Sequence, residues 1–367
     1  MTPTSTAPAP LTLVDVRTRL RDLADRAVAL VADRRHGLVA FSLVRIAYGV
    51  ILLVDLVVNL PVRHRIWGPD AAYSLERLRA DGGDGSILSL YLFARTAWQT
   101  DLIYLALAVA AALFALGWRT RVVTPVLFVL LWSWHERNPF VTNGGDNIMR
   151  ILLLYMCVAH VSAYLSLDAR RARREARTDR YDALAAHRAT RRQLATILHN
   201  AALVACVAQL CVLYGASGLF KAQGEVWQEG TAVYYILRVA DYSPWPELSQ
   251  AVYTVPLLVT LATYAAVVVQ IAFPFLLLRP VGRHVAFVVL VGMHVSIGFL
   301  MGLPVFSAFM IASDLLVFTD RELLGLRERV RVQVAHLRRS AARDPGTARP
   351  EPTPARVPVG ALTTETA

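Results

Sequence analysis

Long apolar runs, with the charges swept into the segments between them, dominate this sequence and leave it little choice of fold. Eight stretches approach the ~20 residues that a helix rising about 1.5 Å per residue needs to cross a hydrocarbon core. They are 38–60, 100–117, 121–136, 147–167, 199–220, 253–278, 284–301 and 303–319. A lone segment in lipid must satisfy its own backbone hydrogen bonds, so each reads as a helix, and the whole as an all-α, polytopic membrane bundle of about eight spans. The composition agrees, with 56% apolar residues and only 18% charged. A soluble, collagen-like, disulfide-stapled or disordered chain is excluded. The link Gly117-Trp118-Arg119-Thr120 joins the second and third spans as a hairpin, and Gly302 with Pro304 joins the last two. No internal repeat is visible.

The formal charge is +11, but the arginines flank apolar spans instead of forming a basic soluble surface, so nucleic acid is not an expected partner. Their distribution sets an orientation instead. Six arginines precede the first span, Arg119 and Arg121 lie in the first hairpin, nine lie in 168–198, Arg279 and Arg283 precede the seventh span, and nine follow residue 320. The connections at 61–99, 137–146, 221–252 and 302 are acidic, mixed or nearly uncharged. Positive segments face the cytoplasm, which predicts a multi-pass protein of the bacterial inner membrane with both termini inside. Residues 1–37 form a basic N-terminal segment, 38–320 the transmembrane domain and 321–367 a basic tail. Thirty-odd polar residues before the first run argue for an uncleaved anchor, not a signal peptide. Residues 1–10 and 344–367 read as disordered ends, and 11–36 and 169–198 as basic helices against anionic lipid.

The outer connections are aromatic. Trp67, Tyr73, Tyr91 and Trp98 lie in 61–99, and Trp227, Tyr234, Tyr235, Tyr242 and Trp245 in 221–252. They form either an interfacial belt or a lid over a pocket between helices. Cys157, Cys206 and Cys211 all sit inside apolar runs without CxxC or CxxH spacing, so no metal site is expected.

Ionisable groups within spans are costly and point to bundle interiors. Arg45 and Asp55 are ten residues, about 15 Å, apart on one helix, so each needs a partner elsewhere. Asp146 and Arg150 have the spacing of an i,i+4 pair, with Asp146 placed to cap its helix. His294 and Asp314 lie in the last two spans; the histidine reads either as a packing residue or as a proton-transfer group. Lys221 is the only lysine among 38 basic residues. Burial can lower the pKa of an amine until it serves as a general base at neutral pH, whereas a guanidinium stays protonated. Chance survival in an arginine-biased composition is the competing explanation.

Three ordered blocks resemble a known family. The first runs from Glu136-Arg137-Asn138-Pro139 through Asn143-Gly144-Gly145-Asp146 to Arg150 and Ser166-Leu167-Asp168. The second comprises Tyr214, Ser217, Gly218, Lys221, Gly224, Trp227, Gly230 and Tyr234-Tyr235; the third runs from His294 to Phe306-Ser307, Met310, Ala312 and Ser313. With Arg45, Gly49 and Asp55, the likeness spans about residues 38–320. It resembles the bacterial branch of the horizontally transferred transmembrane domain family, related to vitamin K-dependent γ-carboxylases. The resemblance implies that Lys221 deprotonates a reduced quinone of vitamin K or menaquinol type, that oxygen and carbon dioxide are co-reactants, and that Trp227 and Tyr234 lie beside the quinone. It implies an active site on the outer side, with His294 assisting. A histidine of the carboxylases aligns at Ala163, and His160 lies one turn earlier as its candidate substitute. This chain carries a short basic tail where the carboxylases have a large lumenal region. An alternative is a non-enzymatic scaffold or maturation partner for an exported peptide; a transporter would need paired broken half-helices, which the sequence does not offer.

Overall fold

A computed structural model describes Thr18 and residues 32–81, 89–175 and 185–343, and among these every regular element is helical. The main elements are α1 (Leu38–Asn59), α2 (Ala97–Leu116), α3 (Thr120–Arg137), α4 (Gly144–Met156), α5 (Leu167–Glu175), α6 (Ala185–Ala222), α7 (Pro256–Leu276), α8 (Pro280–Leu300), α9 (Pro304–Asp314) and α10 (Asp320–Arg343). The disordered ends expected at 1–10 and 344–367, and most of the basic helix expected at 11–36, lie outside the described residues. Residues up to Leu323 make one compact unit, and Leu324 onward a second.

Five helices are long and apolar enough to cross a membrane: Leu38–Trp67, Ala97–Leu116, Thr190–Ala222, Pro256–Leu276 and Pro280–Leu300. Their outer faces stay apolar where no protein covers them, as at Val54, Val57 and Val58 of α1, while Tyr48, Leu52 and Leu56 point inward. Apolar residues on every face suit a helix bounded partly by lipid. The other three expected spans are shorter. α3 has 18 residues and ends in the polar sequence His135-Glu136-Arg137, α4 has 13, and α9 has 11 before a 3-10 turn to Val317. The basic segment expected as a separate helix at 169–198 also differs. From Ala185 it is continuous with the membrane helix that ends at Ala222.

The fourth expected span, 147–167, stops being an α-helix at Met156 and continues as turns. Arg45 explains why that irregular backbone is tolerated. Its guanidinium, fully buried, donates to the carbonyls of Val161, Tyr164 and Leu165 and to those of Phe114 and Ala115 at the end of α2. Non-helical backbone at membrane depth survives only where protein satisfies it, and a cation at a helix C-terminus also meets the negative end of the helix dipole. Arg137 does the same work in another place, donating to the carbonyls of Tyr73 and Gly68.

Helix starts are capped across long sequence distances. Asp320 accepts from the amides of Leu38 and Val39 at the start of α1, and Asp168 from those of Arg119 and Thr120 at the start of α3. Each carboxylate satisfies donors that a helix leaves unpaired in its first turn. Short α9 packs against α1, α4 and α8, and its Ser307, Phe309, Met310, Ser313 and Asp314 are buried in the middle of the bundle.

Candidate functional site

Tyr214, Ser217 and Lys221 stand at i, i+3 and i+7 on α6 and therefore share one face. That face meets α7 at unusually close range, because a Cβ on Gly218 would lie 2.8 Å from Ile271 Cγ1 and 2.9 Å from the Ile271 backbone nitrogen. The close crossing brings Gln270 to Lys221. The lysine Nζ donates to Ser217 Oγ at 2.6 Å and to Gln270 Oε1 at 3.1 Å, and lies 5.5 Å from the Trp227 ring centroid. Both acceptors are uncharged, and no carboxylate among the described residues pairs with this amine.

Lys221 opens on a cavity of about 710 Å³ between α6, α7, α8 and α9. Its walls are mostly aliphatic and aromatic, including Ala266, Val289, Ile297 and Phe306, with Lys221, Ser217, Tyr214, Gln270, His294 and Ser296 among the polar groups. A large apolar hollow with a few convergent polar atoms is the form of a small-molecule site. The connection after α6 covers part of it through Trp227, Val233, Ile236 and Leu237.

Behind the cavity wall lies a buried chain of polar groups. The Tyr214 hydroxyl donates to both carboxylate oxygens of Asp314 at 3.0 Å and sits 3.2 Å from His294 Nε2. His294 and Asp314 are 2% and 1% exposed, so this arrangement is fixed by packing. His294 Nδ1 makes no hydrogen bond among the described residues, and Phe306 packs on the ring edge-to-face. A half-buried amine and a buried imidazole thus line the same apolar space.

The structure separates the other expected site residues from this cavity. Tyr234 does not line it; its hydroxyl accepts from Arg238, and its ring packs on Tyr235 and Tyr253. His160 is farther away. Its amide donates to His199 Nδ1, and His199 precedes Lys221 by 22 residues on α6, a rise of about 33 Å. The expected Asp146–Arg150 pair does not form. Arg150 bonds Glu136 at 2.7 Å and stacks on Trp132, while Asp146 is the third helical residue of a capping box whose N-cap is Asn143. The reason is local: Asp146 Oδ2 is held by the Asn143 amide.

Asp55 and Asp146, distant in sequence, meet in a second, smaller hollow of about 190 Å³ with His135, Trp67 and Trp134. Gly144 and Phe306 line the first cavity, and their chain neighbours Asn143 and Val305 line the second. Trp67 and Tyr91, expected in an interfacial belt or lid, are instead core residues, with Trp67 4.8 Å from the ring of Trp134. Trp98 and Trp245 are exposed, as a belt requires.

Gln270 escaped the sequence reading, and Tyr214 and Arg137 entered it only through the resemblance. Gln270 and Tyr214 carry no charge, and Arg137 lies at a helix end where arginine is unremarkable. A polar residue inside an otherwise apolar window is the signal that marks Gln270. The cysteines are unpaired, and no group of three His, Cys, Asp or Glu that could hold a metal occurs among the described residues. Comparison with protein-family models, curated proteins and solved structures gives no match.

Proposed function

We propose that this chain is an integral membrane enzyme of eight spans, with both termini in the cytoplasm, in which Lys221 acts as general base on the acidic hydroxyl of a lipid-soluble substrate, a reduced quinone being the class that fits best. The observation that carries this reading is the environment of Lys221: the only lysine in the chain, held by two neutral acceptors at the edge of a cavity of about 710 Å³ with apolar walls. An amine so placed can present its lone pair to a hydroxyl that approaches from the lipid, without a carboxylate to hold its proton in place. Ser217 and Gln270 orient the amine, and Trp227 supplies a flat wall for a ring. His294, braced by Tyr214, adds an imidazole to the same wall. The likeness of the Lys221 segment to the γ-carboxylase lysine block supports the quinol, with oxygen and carbon dioxide as co-reactants.

The eight-span topology rests on the arginine distribution, with α3, α4 and α9 read as the remaining three spans; of these, α9 with its 3-10 turn to Val317 is a shorter apolar helix. The carrying experiment is direct. Purified protein in detergent is incubated with menaquinol or reduced vitamin K and oxygen, and epoxide is sought by mass spectrometry. Wild type is expected to form it and Lys221→Met is not. Equal yields from the two proteins sink the quinol reading.

A further inference from the structure

At the far end of α6 from Lys221, around His160, lies a groove of about 820 Å³ of opposite character. Five arginines line it, brought from three separate places: Arg35 ahead of α1, Arg119 and Arg121 from the first hairpin, and Arg171 and Arg173 from α5. One carboxylate, Asp168, shares the lining, and it is already occupied by the amides of Arg119 and Thr120 and by the Thr120 hydroxyl. Arg35, Arg121, Arg171 and Arg173 form no ion pair with any described residue. Burial, and then the neighbouring Arg121 charge, hold the Arg35 guanidinium below its ordinary pKa. Arg119 keeps a left-handed backbone, φ 43°, that few non-glycine residues adopt, and such strain persists where the surroundings impose it.

The geometry points to a binding site for a phosphate group, carried by an anionic phospholipid whose headgroup sits among Arg35, Arg121, Arg171 and Arg173. Bidentate guanidinium forks match phosphate oxygens, and basic pockets at helix ends are where such headgroups bind. Two further features favour a lipid over a soluble phosphate. The groove lies at the starts of α1 and α3, the level at which a bilayer presents its headgroups, and its floor is apolar, from Leu38, Val122 and Ala163. An ordinary positive flank would need neither a hollow nor convergence from three segments.

The test is retention of lipid by the full chain. Wild type, Arg35→Gln/Arg121→Gln and, as a second variant confined to exposed positions, Arg171→Gln/Arg173→Gln are exchanged against vesicles of phosphatidylcholine alone or mixed equally with phosphatidylglycerol. Bound lipid is counted by native mass spectrometry. Wild type is expected to keep phosphatidylglycerol selectively, and each double variant to hold it on the order of 20-fold more weakly, about fivefold per arginine. Arg327→Gln/Arg329→Gln, on α10, should match wild type. Inorganic phosphate is added in a parallel arm. If phosphate raises the Tm of wild type but not of the variants, with no lipid retained, the phosphate site stands and its source is soluble. Equal lipid retention by wild type and both variants, with no differential phosphate effect, overturns the proposal.

Discussion

The two ends of α6 place cations in opposite circumstances, and the contrast shows how surroundings, not charge, assign a role. At one end a single amine is half-buried among apolar walls and bonded only to neutral oxygens. At the other, arginines crowd an open groove, and Asp168 and Asp320 nearby are spent on capping helices. Between these extremes stands Arg45, fully buried yet saturated by backbone carbonyls, and so structural. On the reading proposed above, the amine exchanges a proton, while the guanidiniums hold anions or, as at Arg45, tie down backbone.

Swapping the cations should break this contrast most visibly. Lys221→Arg keeps the charge but removes the exchangeable lone pair, and turnover of a quinol should fall by about 100-fold or more, with the Tm nearly unchanged. Near-wild-type turnover in that variant would remove Lys221 from the chemistry. In the reverse sense, Arg45→Met leaves several buried carbonyls without donors and is expected to cost about 3–5 kcal/mol, read as a lowered thermal midpoint or loss of folded yield in detergent. A stable Arg45→Met protein would mean that water or lipid can replace the guanidinium.

A smaller effect sharpens the description of the Lys221 end. Gly218→Val places atoms against the backbone of Ile271, so α6 and α7 must separate, at about 1–3 kcal/mol and with Gln270 drawn away from the lysine. Turnover should drop more than stability does, whereas a variant in a merely tight lipid-facing contact would lose both alike. The smallest effect lies at the opposite end. Burial raises the Glu322 carboxyl, but the Thr319 hydroxyl and amide and the Arg283 guanidinium outweigh it and hold the group below its ordinary value. A depressed folded-state pKa contributes stability above the unfolded value of about 4.3 that is lost as pH falls through the folded one. That loss should stay under about 1 kcal/mol, since the pair is partly exposed, and Glu322→Gln should flatten it in unfolding measured against pH.

Much of this was legible before any coordinates. Each of the five long helices overlaps an expected span, four of them running past its bounds, and Lys221 was singled out by composition. The third span matches α3 within a residue at each end, but the spans at α4 and α9 were drawn too long, because hydropathy reports what a segment tolerates around it and not where its backbone turns. Met156 ends α4 since Arg45, more than a hundred residues earlier, offers the following carbonyls donors outside the helix. Asp146 and Arg150 had the right spacing to pair, but better partners, Asn143 and Glu136, were in reach. The resemblance placed His160 with Lys221 in one site, and about 33 Å of α6 keeps them apart.

By itself the sequence determined that this protein is a helical assembly suited to a membrane, because uninterrupted apolar segments can satisfy their backbones in lipid only as helices. It also determined that one position carries an amine where every other cation is a guanidinium. Only the tertiary structure decided which polar groups meet. Tyr214 finds Asp314 one hundred residues on, Lys221 finds Gln270 across a glycine-thin contact, and Asp55 lines one hollow with Asp146. Such partnerships depend on how helices cross, and crossing is settled by the shapes of facing side chains, which no local pattern records.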